Sequence, residues 1–287
     1  MIMKRARKFL VKICVVVIVM FAFNVLGYPF WDTLKSYGVM YIYDKYVYQN
    51  SYLNKAHINF SIPAGLSTKD KDWYPIMLHH DASRTFAKYT DRNLSCMILY
   101  SFGAFDFMKG SSSFYDTNSP FQGAFYGGYV ILDHSPASAP YGFHPNGELN
   151  VEEIETIPYI DQTKLVLPSV GCPSEIITFE PLDMNILKNQ SYLGLDNWTR
   201  IDSLIKTNTP SHGYKGKAEY GYLQYGKPHK SYHIDEDYPI QLLKGRMYIK
   251  YIPEFKATFI LYVMAKDEEI INSCDQNLLS KAVISLK

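Results

Sequence analysis

Residues 95–107 read SCMILYSFGAFDF, and this run decides the fold. A strand-length segment that is apolar at nearly every position has no face to give to water, so it is expected as a central strand covered on both sides. Upstream, His57-Ile58-Asn59-Phe60-Ser61-Ile62 alternates with period two and stops at Pro63-Ala64-Gly65, the pattern of a half-buried strand followed by a turn. Residues 73–79 read as a further strand. Downstream, a Gly/Ser/Asp/Asn/Pro loop over 109–123 leads into an aromatic strand over 124–132, where Gly127-Gly128 reads as an irregularity. A long loop over 133–150 is followed by a short acidic segment, 151–160. Residues 163–167 and 176–179 are expected as strands, and 193–206 as holding a short helix. Near the C-terminus, 247–251 and 257–264 are β-branched and aromatic runs separated by Pro253-Glu254, as in adjacent strands. Beyond Asp267, the apolar residues Ile270, Ile271, Cys274, Leu278, Leu279 and Val283 recur at three- and four-residue steps, one buried face of a closing helix. Helical periods are too few to alternate with every strand. The fold class expected is therefore α+β and β-rich, a single domain over 55–287, sandwich-like or built on a mixed sheet, closed by a C-terminal helix.

In front of this domain stands an uncharged, mostly apolar run over 13–31, with Lys4, Arg5, Arg7, Lys8 and Lys12 on its N-terminal side. Nineteen residues of helix span roughly 29 Å, about one bilayer core, and the positive-inside rule holds the basic end in the cytoplasm. The organisation expected is a basic cytoplasmic segment, 1–12, a transmembrane signal-anchor, 13–31, a stalk or first packed segment, 32–54, and an extracytoplasmic domain. Cleavage after Val25-Leu26-Gly27, giving a secreted protein, is the alternative. Cys14 lies at the start of the apolar run, where a lipid-modified cysteine would not be placed.

Of 287 residues, 29 are Lys or Arg and 28 Asp or Glu; without the five basic residues of the first twelve the balance is 24 to 28. The exposed part thus lacks the concentrated basic face that nucleic-acid binding needs. Three cysteines follow the apolar run, Cys96, Cys172 and Cys274, too few for a disulfide scaffold. Tyrosine is abundant, with 25 residues, and suits either half-buried strands or a recognition surface for glycan or protein.

Two polar clusters stand out. His79-His80-Asp81, with Arg84 behind, falls at the end of an expected strand, where His79 and Asp81 share a face and His80 points the other way. His229, His233 and Asp235 have even spacing, so in a strand all three share one face, as a metal or pH-sensitive site would require. No hydrolase elbow, GxGxxG or GxxxxGK[ST] is present, so dinucleotide and triphosphate chemistry find no support and the sequence leaves any cofactor unknown. His144, in Tyr141-Gly142-Phe143-His144, precedes Ser169-Val170-Gly171-Cys172, an order that resembles the L,D-transpeptidases. That resemblance implies a membrane-anchored, β-rich cell-wall enzyme with His144 as base and Cys172 as nucleophile. The chain departs from the family pattern at Pro145 and Pro173, lacks an arginine beside the cysteine, and has a longer gap. The function expected is a membrane-tethered binding or interaction protein of the cell envelope, its partner a glycan or another envelope protein. The alternative is an envelope enzyme of Cys-His type, transpeptidase-like or a hydrolase.

Overall fold

A computed structural model describes residues 11–12, 14–19, 21–22, 30–67, 71–106, 109–134, 139–210, 224–226 and 238–286. Its centre is one seven-stranded antiparallel sheet. In spatial order it comprises β2 (Leu78–Asp81), β3 (Leu94–Phe102), β6 (Phe125–Asp133), β10 (Ala257–Ala265), β9 (Ile240–Ile252), β8 (Leu195–Asn208) and β7 (Phe179–Tyr192). Residues 95–102 of the continuous apolar run lie in β3, an interior strand between the edge strand β2 and β6 rather than the centre of the sheet, and Phe105 and Asp106 belong to a separate short strand. All nine residues of β10 are buried, as are most of β3 and β6. Side chains of this size contribute about 1.5–3 kcal/mol each when fully enclosed, which is why the continuous apolar runs take interior positions, away from both edges.

The chain builds the sheet in two sections. β2, β3 and β6 are laid down first; residues 134–178 then cross to the far edge, and β7, β8, β9 and β10 return until β10 pairs with β6, Ala257 opposite Leu132 through Met264 opposite Phe125. The sheet is antiparallel throughout, neither mixed nor a sandwich. Two short pairs flank it: β4 (Phe105–Asp106) with β5 (Ser111–Ser112), and β1 (Ile58–Ser61) with β11 (Val283–Leu286).

Both faces are covered. On one lie α3 (Ser83–Tyr89), α4 (Val151–Ile160), the short α5 (Leu167–Ser169) and part of α1 (Phe30–Asn50), enclosing a core that includes Phe86, Ile98, Tyr129, Ile154, Ile157 and Tyr262. On the other, α2 (Tyr52–Lys55), the β1/β11 pair and α6 (Glu268–Asn277) bury Phe60, Met97, Trp198, Phe259, Leu261 and Cys274. The C-terminal helix is thus present, but it gives way to the strand β11 rather than running to the end. It is fastened by Arg246 of β9, which donates to Asp202 across the strand pair and to Asn272, Asp275 and Glu268 of α6 at 2.9–3.1 Å. Tyr192 and Tyr248 stack at 3.9 Å between ring centroids and both donate to Asp275 at 2.7 Å.

Most of the stretch expected as a stalk or first packed segment, 32–54, is helix α1. It lies along the edge strand β2, and Asp44 accepts the backbone N–H of His79 at 2.7 Å, closing part of an edge that would otherwise be free to pair. Residues 193–206 are strand β8 rather than a helix, and 163–167 are helical rather than a strand. Gly127 and Gly128 sit in an unbroken ladder, not at an irregularity. Of the apolar run 13–31, residues 14–19 and 21–22 are helical, with Val15, Val16, Val17, Ile18 and Phe21 exposed. Among the described residues no helix is long and apolar enough to cross a membrane, so the fold gives the expected span no support.

Candidate functional site

The crossover from β6 to β7 carries an unusual local structure. Helix α4 starts at Asn150, whose side chain accepts from the Glu153 N–H at 3.3 Å, and Glu152 and Glu153 complement its N-terminal dipole. Ile154, Ile157 and Ile160 face the sheet. Pro158 has no N–H to return to the Ile154 carbonyl, and Pro168 has none for Lys164. Between these prolines the helix widens into a π-helix over Asp161–Val166, with the Leu167 N–H bonded five residues back to Gln162. Such turns are rare and concentrate at functional sites. Here the widened turn buries three successive polar residues, Asp161, Gln162 and Thr163.

Asp161 is 5% exposed and projects onto the middle of the sheet. Tyr129 of β6 donates its hydroxyl to Oδ2 at 2.7 Å. Tyr262 of β10 stacks on Tyr129, with centroids 4.9 Å apart and planes at 18°. Burial pushes the carboxyl up to about 7, against the Tyr129 hydrogen bond, which works in the opposite direction. No ion pair reaches Asp161 among the described residues, whereas the buried carboxylate Asp275 has Arg246.

Beside Asp161 opens a cavity of about 520 Å³. Its floor follows from register: Tyr100 of β3 and Tyr262 of β10 are both paired with Gly127 of β6, so the position between the two rings carries no side chain. Nor could it carry one, because a Cβ at Gly127 would run into the Leu99 carbonyl. Val39, Met40 and Tyr43 of α1 form one wall, Leu165, Val166 and Ser169 of the crossover another, and Gln224 with Tyr225 a third. Tyr225 is itself held by stacking on Phe114 at 4.6 Å and 18°. Burial keeps the hydroxyls of Tyr100, Tyr225 and Tyr262 neutral by raising them. It also lowers His80, which Asp81 only partly offsets, so the imidazole is uncharged at pH 7. A chamber of aromatic and apolar walls thus surrounds one carboxyl that titrates near neutrality.

The residues singled out in the sequence are scattered by the fold. In β2, His80 faces the cavity while His79 points the other way and is packed against α1, its Nδ1 2.7 Å from Asp44, with the Tyr48 ring beside it. Asp81 is exposed and accepts from the backbone and hydroxyl of Ser83 at 3.0 and 2.5 Å, starting α3; Arg84 is exposed. His144 is exposed in a turn, bonded through its backbone to Glu148. Cys172 packs in a small cluster with Leu167 and Tyr238; burial pushes its thiol up to about 11, and its Sγ lies 3.9 Å from the Pro173 carbonyl. Among the described residues no hydrogen bond joins Cys172 to His144. His229, His233 and Asp235 lie outside the described residues. Among those described, no group of three or more His, Cys, Asp or Glu is placed to hold a metal ion.

Sequence reasoning missed Asp161, although a signal was present. Ile154, Ile157 and Asp161 stand at i, i+3 and i+7, so the carboxyl falls on the apolar stripe of α4 extended. Comparison with family models, with curated proteins and with solved structures finds no match to this chain.

Proposed function

We propose that the chain is a membrane-tethered binding protein of the cell envelope whose seat for a small, mainly apolar ligand is the cavity beside Asp161. The observation that carries this reading is the chamber itself: about 520 Å³, aromatic and aliphatic walls, and few polar groups converging on it. That is the usual make-up of a small-molecule site. The tether and the address outside the cytoplasm rest on the basic start and apolar run of the first 31 residues. The Cys-His enzyme reading rests on the order of His144 and Cys172 in the sequence, and no observed contact adds to it.

The test uses the neutral fluorescent probe N-phenyl-1-naphthylamine and the full-length chain. Saturable binding at one site per chain, lost in Ser169→Trp, which fills the cavity, is the expected result. Binding that does not saturate, or that Ser169→Trp leaves unchanged while the variant stays folded, would overturn the reading.

A further inference from the structure

The chemistry of the cavity narrows the class of ligand. Asp161 is a buried carboxyl in the site wall, and leaving such a group ionised without a positive partner is costly. The groups that face it from each packed element are Tyr129 of β6, Tyr262 of β10, Cys96 and Tyr100 of β3, and Tyr225. His80 and Tyr43 complete the titratable lining. None of these carries positive charge at neutral pH, and no lysine or arginine lines the chamber among the described residues. The aromatic rings present electron-rich faces, which attract a cation lodged within about 6 Å of a ring centroid. A divalent metal ion would be expected to draw on several charged ligands, and among the described residues Asp161 is the one carboxylate in the lining.

We propose that the cavity is a seat for an organic ammonium ion, its nitrogen against the Asp161 carboxylate and its alkyl or aryl groups among Tyr43, Tyr100, Phe125, Tyr225 and Tyr262. This rests on the reading of the cavity as a ligand site. The incoming cation supplies the charge that the fold withholds, so binding requires Asp161 to be ionised and releases its proton to solvent. Affinity therefore falls as the pH drops below about 7. With the competent fraction set by that ionisation, the apparent Kd at pH 5 is about 100-fold weaker than at pH 8.

The experiment titrates the full-length chain with benzyltrimethylammonium, with its uncharged isostere neopentylbenzene, and with benzoate, following the methyl resonances of Ile98 and Val166. Expected at pH 8 is binding of the cation at least tenfold tighter than the isostere, no binding of benzoate, and loss of most of that preference at pH 5. Asp161→Asn should bind cation and isostere alike; should that variant not fold, the pH dependence of the native chain decides. Equal affinity for cation and isostere at both pH values would overturn the ammonium assignment and leave the apolar cavity standing. If none of the three probes shifts either methyl resonance, the cavity reading falls as well.

Discussion

At the scale of single residues, the fold gives two ionisable groups opposite characters to those their sequence neighbourhoods suggest. Asp161 follows three glutamates within nine residues and reads as part of a solvated acidic segment, yet it is enclosed and titrates near 7. Its folded value lies above the ordinary 3.8, so below pH 4 burial costs nothing. Stability falls as the pH rises from there, and the penalty is complete above 7, on the order of 4 kcal/mol. Asp161→Asn keeps the shape and removes the titration. Urea unfolding should therefore find the variant more stable than the native chain at pH 8 by several kcal/mol and equal to it near pH 4; a constant difference across that range would contradict the burial argument. Cys172 is the converse case. A thiol held at about 11 carries little thiolate at pH 8, so alkylation by iodoacetamide, read by peptide mass, should run roughly 200-fold slower than for a free cysteine. Reaction at the free-thiol rate would revive the Cys-His enzyme.

Elements show why some of the chain was legible and some was not. β3 and β10 could be read because their apolar runs are continuous and no helix of that length needs apolar residues all round. β8 was misread as helical because both faces of the sheet are covered. Trp198 packs on one side and Ile201 and Ile205 on the other, and a strand with apolar residues on alternating faces copies helical spacing. Residues 163–167 misled in the opposite sense, their β-branched character suiting a strand while two flanking prolines made a π-helix. The C-terminal helix was legible from its apolar steps, but its clamp was not, since Arg246, Asp202 and Asp275 meet only in three dimensions. Arg246 is 7% exposed with three carboxylates around it. Removing it as Arg246→Met should cost about 3 kcal/mol, because Asp275 is left buried without its cation, whereas Asp202 and Glu268 can still reach solvent. A loss under about 1 kcal/mol in denaturant unfolding would show that the clamp is not a fastening.

For the whole molecule, the crossover is the device that links fold to site. By carrying the chain over the sheet between its two sections, it brings Asp161 onto β6 and β10, the one pair of neighbouring strands that closes them together. Helix α1 then walls the chamber with Met40 while presenting Leu34, Ile42 and Tyr46 to the outside. The topology we propose, a tether with the domain outside the cytoplasm, predicts that protease added to intact cells digests the domain while the first 31 residues are retained; a domain protected from outside would refute it. The candidate site was half legible: His80 was singled out, but its company was not, because residues 80, 100, 161 and 262 are joined only by strand register and by the crossover.

The most direct test is a ¹³C titration of the Asp161 side-chain carboxyl, assigned by loss of its signal in Asp161→Asn. A midpoint near pH 7, moving downward when benzyltrimethylammonium is present, is the expected result. A midpoint near 4 that the cation does not move would mean that the carboxyl is solvated, and that the chamber is not built around a buried charge.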